Sequence, residues 1–433
     1  MINLLDPNLT TELGILATSL ILYVILKIDK RWRIKYLPAI FIITFGTTVL
    51  IRWIISFNIN EQLPSSFLFL IFPACLALWI LIIVIIHRLK IWWLAIVSLL
   101  FSLTFTLVLI NGYYRFYPTV ESVFNINSID KLPVNHEVSL KFTSNSNTAF
   151  NNASLESSLL TLGQHTQGSV YKLTIPGTVS KFSPRESYVY VPAISNTPGK
   201  INLPVLVLST GFPGLPSNWL GSGLQKTMDE FASQHNGITP LVFMVDNTGS
   251  LTNDTECVDS RRGNVETYLA TDVPNYIKDH FEVATDPSHW GIGGLSMGGM
   301  CSVMIALRHP NIYHYFLDFG GEIGPETGSK ENTILTLFNG SESAWAAHQP
   351  SLLLAKNNYK GMGGYFGVGK QDNRNVTDAA DSLYQAAKNA GIESIYESIE
   401  GHHTFNVWQQ SFKDSLPWIS NRMGATQCGI TCH

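Results

Sequence analysis

Hydrophobic residues are distributed unevenly along this chain, and the first quarter holds four long apolar runs. These runs cover residues 13–28, 37–57, 67–86 and 91–110. Each is close to the ~20 residues that an α-helix needs to cross the ~30 Å hydrocarbon core of a bilayer. No basic residue precedes the first run and three further runs follow it, which disfavours a cleaved signal peptide. The pattern predicts a four-span transmembrane region over residues 1–111.

The basic residues between these runs predict how the spans are oriented. The first loop carries five Lys or Arg residues and the third carries Arg88 and Lys90, whereas the N-terminus and the second loop carry none. Cytoplasmic loops are enriched in Lys and Arg, so the first and third loops are predicted to be cytoplasmic. An even number of spans then places everything after Tyr113 on the extracytoplasmic side of a cell membrane.

Beyond the spans, the pattern is typical of a water-soluble α/β domain. We interpret residues 112–135 as a juxtamembrane connector and 136–433 as one exported domain. Short alternating runs at 170–175 and 187–191 predict antiparallel strands at one edge of a sheet. Continuous apolar runs then alternate with helical patterns over ~230 residues, which indicates a doubly wound, mostly parallel sheet. The predicted core strands are 203–208, 240–245, 313–319, 364–368 and 395–398, with helices at 265–280, 376–389 and from 406.

Composition and cysteine content narrow the compartment and the partners. A net charge of −4 and the lack of a basic cluster after the spans give no case for nucleic acid. Cys75 lies in a predicted span. Cys257, Cys301, Cys428 and Cys432 lie in the exported part, where disulfides persist. Four cysteines allow three pairings, and one of these closes a small loop between Cys428 and Cys432 and leaves Cys257 with Cys301. No zinc spacing is present, and we expect no metal or other cofactor.

The sequence Gly-Leu-Ser-Met-Gly-Gly at residues 294–299 carries the clearest chemical signal. It follows an apolar run at 289–293 and precedes a helical pattern at 300–307. In this strand–turn–helix context, G-x-S-x-G is typical of a nucleophile elbow. The tight turn raises the Oγ of Ser296 above the sheet and directs backbone N–H groups at the reacting carbonyl. The alternative is a glycine-rich turn that contains an incidental serine.

A nucleophilic serine needs a base and an acid that orients the base. Asp372 follows the strand predicted at 364–368, and the adjacent His402 and His403 follow the strand predicted at 395–398. Both loops lie at the carboxyl ends of parallel strands, on the same edge as the elbow. Glu322 also lies at a strand end and is an alternative acid.

Taken together, these segments resemble the putative-esterase branch of the α/β-hydrolases, which includes esterase D and the mycobacterial mycolyltransferases. The shared segments are 185–192, 204–219, 294–299, 369–372 and 401–408, within roughly 165–420. The resemblance implies an α/β-hydrolase fold and makes Ser296 the nucleophile and Asp372 the acid. In the family's G-x-H-x-[WF] segment the histidine is the third residue, which selects His403 as the base and leaves His402 at the cleft rim.

The resemblance also implies two donors for an oxyanion hole. One is the backbone N–H of Met297, and the other is the N–H of Phe212, because the next residue, Pro213, has no N–H. The family's histidine-glycine or aspartate-glycine pair is Thr210-Gly211 here. Sugar-binding mycolyltransferases have an acidic residue at the first of these positions, so the resemblance does not extend to a trehalose acceptor. No substrate-binding residue is assigned.

Two further segments have two interpretations each. The loop after Val245 contains Asp246, Asp254, Asp259 and the pair 261–262, which either contact a polar acceptor or form a solvated loop. The stretch 335–362 lies where this fold inserts a lid, and its aromatic residues either cover an acyl chain or pack under a helix.

The leading hypothesis is a membrane-anchored, extracytoplasmic serine esterase or acyltransferase that acts through an acyl-enzyme on lipid or cell-envelope esters. Its partners would be an ester or acyl-lipid substrate and the bilayer. A catalytically retired hydrolase fold that serves as an envelope scaffold is the alternative, but the complete set of Ser296, Asp372 and His403 argues against it. A transporter or sensor is a third possibility, although Arg52 is the sole charged residue in the interior of the predicted spans, away from their ends.

Overall fold

The computed structural model describes residues 2–59, 65–114, 117, 119–120, 167–192, 203–235 and 237–425. The chain divides into two units, Met1–Phe124 and Asn125–His433. Most of the connector predicted at 112–135 lies outside the described residues. Cys428, Cys432 and the loop predicted between them also lie outside.

The first unit contains the four predicted helices: α1 Pro7–Lys27, α2 Lys30–Ile59, α3 Phe67–Ile86 and α4 Trp92–Tyr114. All four are long and apolar enough to cross a membrane, so the prediction of four long apolar helices is confirmed. Large apolar side chains cover the outside of the unit; Phe69, for example, is 79% exposed. Small hydroxyl residues are buried between the helices instead, among them Thr44, Ser98 and Ser102. Small residues at helix contacts and apolar residues outside are typical of membrane-embedded bundles.

The second unit is built on an eight-stranded sheet with strand order β1-β2-β4-β3-β5-β6-β7-β8. The strands are β1 Ser169–Leu173, β2 Ser187–Val191, β3 Val205–Ser209, β4 Leu241–Met244, β5 Trp290–Leu295, β6 Tyr315–Phe319, β7 Gly363–Gly369 and β8 Glu393–Ile399. The β1–β2 and β2–β4 pairs are antiparallel and all other neighbours are parallel. The predicted edge strands and the mostly parallel core are therefore confirmed.

Helices cover both faces of this sheet. In chain order they are α5 Asn218–Gly221, α6 Leu224–Gln234, α7 Val265–Thr267, α8 Val273–His280, α9 Met297–Arg308, α10 Lys330–Leu337, α11 Glu342–Ala346, α12 Pro350–Lys356, α13 Arg374–Asn389 and α14 Phe405–Arg422; a π-helical turn, Tyr268–Asp272, joins α7 to α8. On one face, Val205 and Val207 join the main apolar core. On the other, Trp219, Phe319 and Phe412 form an aromatic cluster with ring centroids 5.7–6.4 Å apart. Burial on both faces confirms the doubly wound fold.

A disulfide joins Cys257, in the segment after β4, to Cys301, in α9. Both residues are fully buried. Of the three pairings that the sequence allowed, the structure therefore contains the one with Cys257 bonded to Cys301. This bond connects the first turns of α9 to a neighbouring loop. A disulfide of this kind persists in oxidising compartments.

We predict that this disulfide contributes substantially to the stability of the folded domain. The double variant Cys257→Ala/Cys301→Ala should lose about 2–5 kcal/mol in the free energy of unfolding, because the bond closes a loop of 44 residues. The measurement is thermal and urea unfolding of the full-length protein in detergent, with and without a reducing agent. The variant should respond to the reducing agent far less than the wild-type protein. Cys75→Ala, at a buried free cysteine, serves as the control. Equal stability of the oxidised and reduced wild-type protein would contradict the prediction.

Candidate active site

Ser296 lies in a strained turn between strand β5 and helix α9, and we call α9 the elbow helix. The backbone φ of Ser296 is 54° and its ψ is −128°, a conformation that non-glycine residues rarely adopt. A Cβ atom on Gly294 would lie 2.3 Å from the carbonyl carbon of Gly298, and one on Gly298 would lie 2.7 Å from the carbonyl oxygen of Thr210. No side chain fits at either position. The glycines of the motif are therefore required by the close approach of the backbone on both sides of Ser296.

The structure brings together the three side chains that the sequence selected. His403 Nε2 lies 2.9 Å from Ser296 Oγ, and His403 Nδ1 lies 2.9 Å from Asp372 Oδ2. The Asp372 side chain is only 1% exposed, and its Oδ1 accepts a hydrogen bond from the N–H of Asn373 at 2.7 Å. An imidazole held in this way can accept the serine proton at Nε2 while the carboxylate keeps the proton on Nδ1. The arrangement can support nucleophilic attack on a carbonyl carbon.

The two alternative residues have other surroundings. His402 is exposed, and its Nδ1–H donates to the carbonyl oxygen of Gln371 at 2.7 Å. Glu322 is also exposed. Burial, together with the charges of Asp254 and Glu322, raises the pKa of Glu256 well above its usual value. The carboxylate that contacts Nδ1 of His403 therefore belongs to Asp372. The charge of Glu322 instead helps to raise the pKa of Glu256.

Aromatic packing fixes the orientation of the His403 ring. Trp408 lies edge-on to His403 with ring centroids 4.8 Å apart, and Phe405 lies edge-on to Trp408 at 4.9 Å. On the β6 side, the ring meets Gly320, where an added Cβ would lie 3.6 Å from His403 Cε1. Contacts at the edge and at the end of the ring restrict its rotation, so that both nitrogens keep their partners.

The loop after β3 lies directly beside the nucleophile. A Cβ on Gly211 would lie 2.9 Å from Ser296 Cβ, which shows how closely this loop approaches the turn. The N–H groups of Phe212 and Met297 donate to no acceptor within the described part of the chain. Free N–H groups at the start of a helix and in an adjoining loop are suited to binding a negatively charged oxygen.

Thr210, the position at which the sequence departs from the family pattern, faces the interior. Its carbonyl oxygen accepts from Asn247 Nδ2 at 2.9 Å, and its hydroxyl lies 3.3 Å from Asn247 Oδ1. The side chain is buried. The hydroxyl therefore helps to fix the loop that precedes Phe212.

Arg185 and Asp246 form a buried ion pair that the sequence did not predict. The backbone N–H and Nε of Arg185 donate to Asp246 Oδ2 at 2.7 and 3.0 Å, and Nη2 donates to Asp246 Oδ1 at 2.6 Å. Nη2 also donates to the carbonyl oxygen of Gly214 at 3.0 Å. Asp246 is 0% exposed, so both sequence interpretations, a polar-acceptor contact and a solvated loop, were wrong for this residue. The pair anchors the end of the loop that begins at Thr210.

Most of the aromatic residues in the stretch suggested as a lid pack against the domain core. Phe338 is buried, and Trp345 and Leu353 are packed against the main apolar cluster. Lys330 Nζ lies 4.4 Å from the centre of the Trp345 ring. Leu335, in contrast, is 67% exposed.

Among the described residues, no group of three or more His, Cys, Asp or Glu side chains is arranged to hold a metal ion.

Comparison with known sequences identifies relatives of this chain. Residues 183–419 match the family described as "Putative esterase". A protein of Corynebacterium glutamicum, described as uncharacterized, is 35% identical over 336 residues, which cover 75% of this chain and 74% of the relative. The diacylglycerol acyltransferase/mycolyltransferase Ag85A of Mycobacterium leprae is 21% identical over 192 residues, or 37% of this chain and 57% of that protein. The second match thus spans little more than half of the mycolyltransferase.

Solved structures with the same fold include an esterase and a hydrolase. A ferulic acid esterase superposes with a TM-score of 0.50 at 20% identity and covers 60% of this chain and 99% of its own. An S-formylglutathione hydrolase from Agrobacterium tumefaciens superposes with a TM-score of 0.51 at 17% identity and covers 60% and 97%. These superpositions establish the fold of the second unit.

We predict that Arg185 stabilises the domain mainly by neutralising Asp246. Arg185→Met should lower the free energy of unfolding by about 3–5 kcal/mol, because it leaves a buried carboxylate without its cation. The double variant Arg185→Met/Asp246→Asn should recover part of that loss, as measured by chemical denaturation of the full-length protein. Lys370→Met, which breaks an exposed pair with Glu400, should change stability by no more than about 1 kcal/mol. Equal losses in the single and double variants would argue against a charge effect.

Proposed function

The chain belongs to the putative-esterase family, and from this premise we propose that Ser296, His403 and Asp372 are its catalytic triad. The observation that carries the proposal is the hydrogen-bonded series from Asp372 through His403 to Ser296, with both distances at 2.9 Å. All three residues lie within the segment matched by the family, 183–419. The function that this geometry supports best is that of a serine esterase or acyltransferase.

The proposed reaction begins with attack of Ser296 Oγ on the carbonyl carbon of an ester. His403 Nε2 takes the serine proton as the bond forms, and Asp372 stabilises the resulting imidazolium. The N–H groups of Met297 and Phe212 donate to the oxyanion of the tetrahedral intermediate. When the intermediate collapses, the ester C–O bond breaks and His403 returns the proton to the departing alcohol. Water or another hydroxyl then attacks the acyl-enzyme, with His403 again acting as base; the bond between the acyl carbon and Ser296 Oγ breaks, and Oγ takes the proton back from His403.

We further propose that the enzyme is anchored in a membrane with its catalytic domain on the extracytoplasmic side. Four helices of sufficient length and apolarity support the anchoring. The distribution of Lys and Arg in the first and third loops supports the orientation. The disulfide between Cys257 and Cys301 agrees with an oxidising compartment.

Lipid or cell-envelope esters are the substrates that this placement favours. A catalytic domain attached to helices of a bilayer is held close to acyl lipids. The similarity to a diacylglycerol acyltransferase/mycolyltransferase points to the same class of acyl donors. A catalytically inactive envelope scaffold is less well supported, because nothing in such a role requires a serine, a histidine and a buried carboxylate in hydrogen-bonding register.

We predict that Ser296 is the nucleophile. In the full-length protein, Ser296→Ala should abolish labelling by a fluorophosphonate probe and lower the turnover of a short p-nitrophenyl ester by about 10³-fold or more. The melting temperature should hardly change, because alanine retains the same backbone conformation. Normal labelling of Ser296→Ala would show that the elbow is only structural.

Variants of His402 and Glu322 serve as matched controls for variants of the proposed base, His403, and the proposed acid, Asp372. His403→Ala should lose as much activity as Ser296→Ala, and the double variant should be little worse, because a triad acts as one unit. His402→Ala should retain most activity. Asp372→Asn should lower turnover by about 10⁴-fold, by analogy with other triad aspartates, whereas Glu322→Gln should have a far smaller effect. Large losses at His402 or Glu322, with small losses at His403 or Asp372, would overturn these roles.

The products distinguish hydrolysis from acyl transfer. The full-length enzyme is incubated with an acyl ester, with and without a sugar or lipid that offers a free hydroxyl. Formation of a new ester on the added hydroxyl compound identifies an acyltransferase. Formation of the free acid alone, at an unchanged rate, identifies a hydrolase.

The proposed orientation predicts that a protease added to intact spheroplasts releases the catalytic domain. The cytoplasmic loops should stay protected until the membrane is broken. The measurement is immunoblotting with one antibody to the C-terminal domain and another to a cytoplasmic marker protein. Protection of the domain in intact spheroplasts would invert the assigned orientation.

A further inference from the structure

Asp318 is a buried carboxyl group next to the nucleophile turn for which the triad mechanism has no use. It is the fourth residue of β6, where it lies opposite Gly294 of β5 and Phe366 of β7. The residue is 1% exposed. A carboxyl group in such a place is unusual, because burial without a cation penalises its charged form.

Two glycines leave just enough room for this carboxyl group. Asp318 Oδ1 accepts the N–H of Gly321 at 2.7 Å. A Cβ on Gly299, in the first turn of the elbow helix, would lie 2.3 Å from the same oxygen, and a Cβ on Gly321 would lie 2.4 Å from it. Oδ2 has no hydrogen-bond partner among the described residues. The carboxyl group thus fills the space between the elbow helix and the turn at 318–321.

That turn contacts both reacting residues. The carbonyl oxygen of Phe319 accepts the backbone N–H of Ser296 at 2.9 Å. Gly320, at a φ of 68°, lies beside the ring of His403, where an added Cβ would be 3.6 Å from Cε1 and Nδ1. The N–H of Gly320 donates to the carbonyl oxygen of Gly367 at 2.8 Å, which ties the turn to β7. A shift of the turn would therefore move the serine backbone and the histidine ring relative to each other.

We propose that Asp318 is a positioning residue for the nucleophile. Its carboxyl group holds the turn at 318–321 against the first turn of the elbow helix, and in this way keeps Ser296 and His403 in reacting geometry. This inference rests on the proposed function, in which Ser296 is the nucleophile and His403 the base.

The protonation state of Asp318 gives this role a pH dependence that can be measured. Burial raises the pKa of Asp318 to about 7, and the Gly321 N–H, which lowers it, is the other contributor. No charged side chain in the described part of the chain adds to this rise in the pKa of Asp318. The titratable group of the site that faces the same turn is His403, on the other side of Gly320. The carboxyl group is neutral below this pH and ionised above it. A carboxylate beside the first helical turn opposes the negative charge that develops on the oxyanion at the same helix end.

Two substitutions at this position test the proposal. Asp318→Leu removes the acceptor for Gly321 and should lower kcat for a p-nitrophenyl ester by about 10²-fold, the effect of a misplacement on the order of 1 Å, while KM stays nearly constant. Asp318→Asn keeps the shape and the acceptor and should retain most of the wild-type kcat below neutral pH. The ratio of wild-type kcat to Asp318→Asn kcat should fall as the pH rises through about 7.

Asp272 provides the matched control. It is also a buried carboxyl group, and it accepts hydrogen bonds from the N–H groups of Val179 and Ser180 and from the Thr178 hydroxyl. Asp272→Asn should lower the melting temperature and leave the pH profile of kcat unchanged. The same stability measurement on the Asp318 variants separates loss of folded protein from loss of activity in folded protein.

The outcomes distinguish this inference from the proposed function. Loss of most of the wild-type kcat in folded Asp318→Asn below neutral pH, where this variant keeps the shape and the acceptor for Gly321, overturns the positioning role, and it does so even if Asp318→Leu fails to fold. Wild-type kcat in folded Asp318→Leu also overturns it. If either result accompanies an inactive Ser296→Ala, the triad stands and only the role of Asp318 fails. Full activity in Ser296→Ala would instead overturn the proposed function itself.

Discussion

The backbone conformation at Ser296 is the constraint on which the catalytic arrangement depends. A non-glycine residue at a φ of 54° costs on the order of 1–3 kcal/mol and persists only where the surroundings impose it. The surroundings here are the hydrogen bond from the Ser296 N–H to Phe319, the glycines that permit backbone contact, and an elbow helix buried along nearly its whole length. Packing energy from the core thus maintains a local strain that directs Oγ away from the sheet.

Two buried acidic groups on opposite sides of this turn are stabilised by opposite means. Asp246 is paired with the guanidinium of Arg185, and the pair secures the loop next to Ser296 through Gly214. Among the described residues, Asp318 has a single backbone donor and no cation, and burial raises its pKa to about 7. The first has its cation in direct contact, whereas the second is neutral over part of the physiological range. Asp246 fixes the loop after β3, which carries the N–H of Phe212, through its charge. Asp318 fixes the turn at 318–321, which contacts Ser296 and His403, through its shape.

Sequence patterns predicted the elements well, because hydrophobic periodicity reports directly on burial. Continuous apolar runs became the parallel strands, alternating runs became the antiparallel edge, and the G-x-S-x-G motif located the turn because only glycine fits there. The contact between Arg185 and Asp246 joins residues 61 positions apart, and no local pattern encodes it. The selection between cysteine pairings and the burial of Asp318 likewise depend on how strands are ordered in the sheet. Asp372 and His403 were accessible to prediction because each directly follows a strand.

The contact between Gly298 and the carbonyl oxygen of Thr210 has a consequence for substrate selection. It fixes the elbow helix against the loop after β3, with main-chain atoms of both segments in direct contact. In the proposed mechanism, both oxyanion donors are then already in place before a substrate arrives, and no induced fit is needed to assemble them. An enzyme built in this way cannot reject a wrong ester by failing to close. Its discrimination among acyl chains and alcohols must reside in the peripheral loops, which can change in evolution without disturbing the reacting centre.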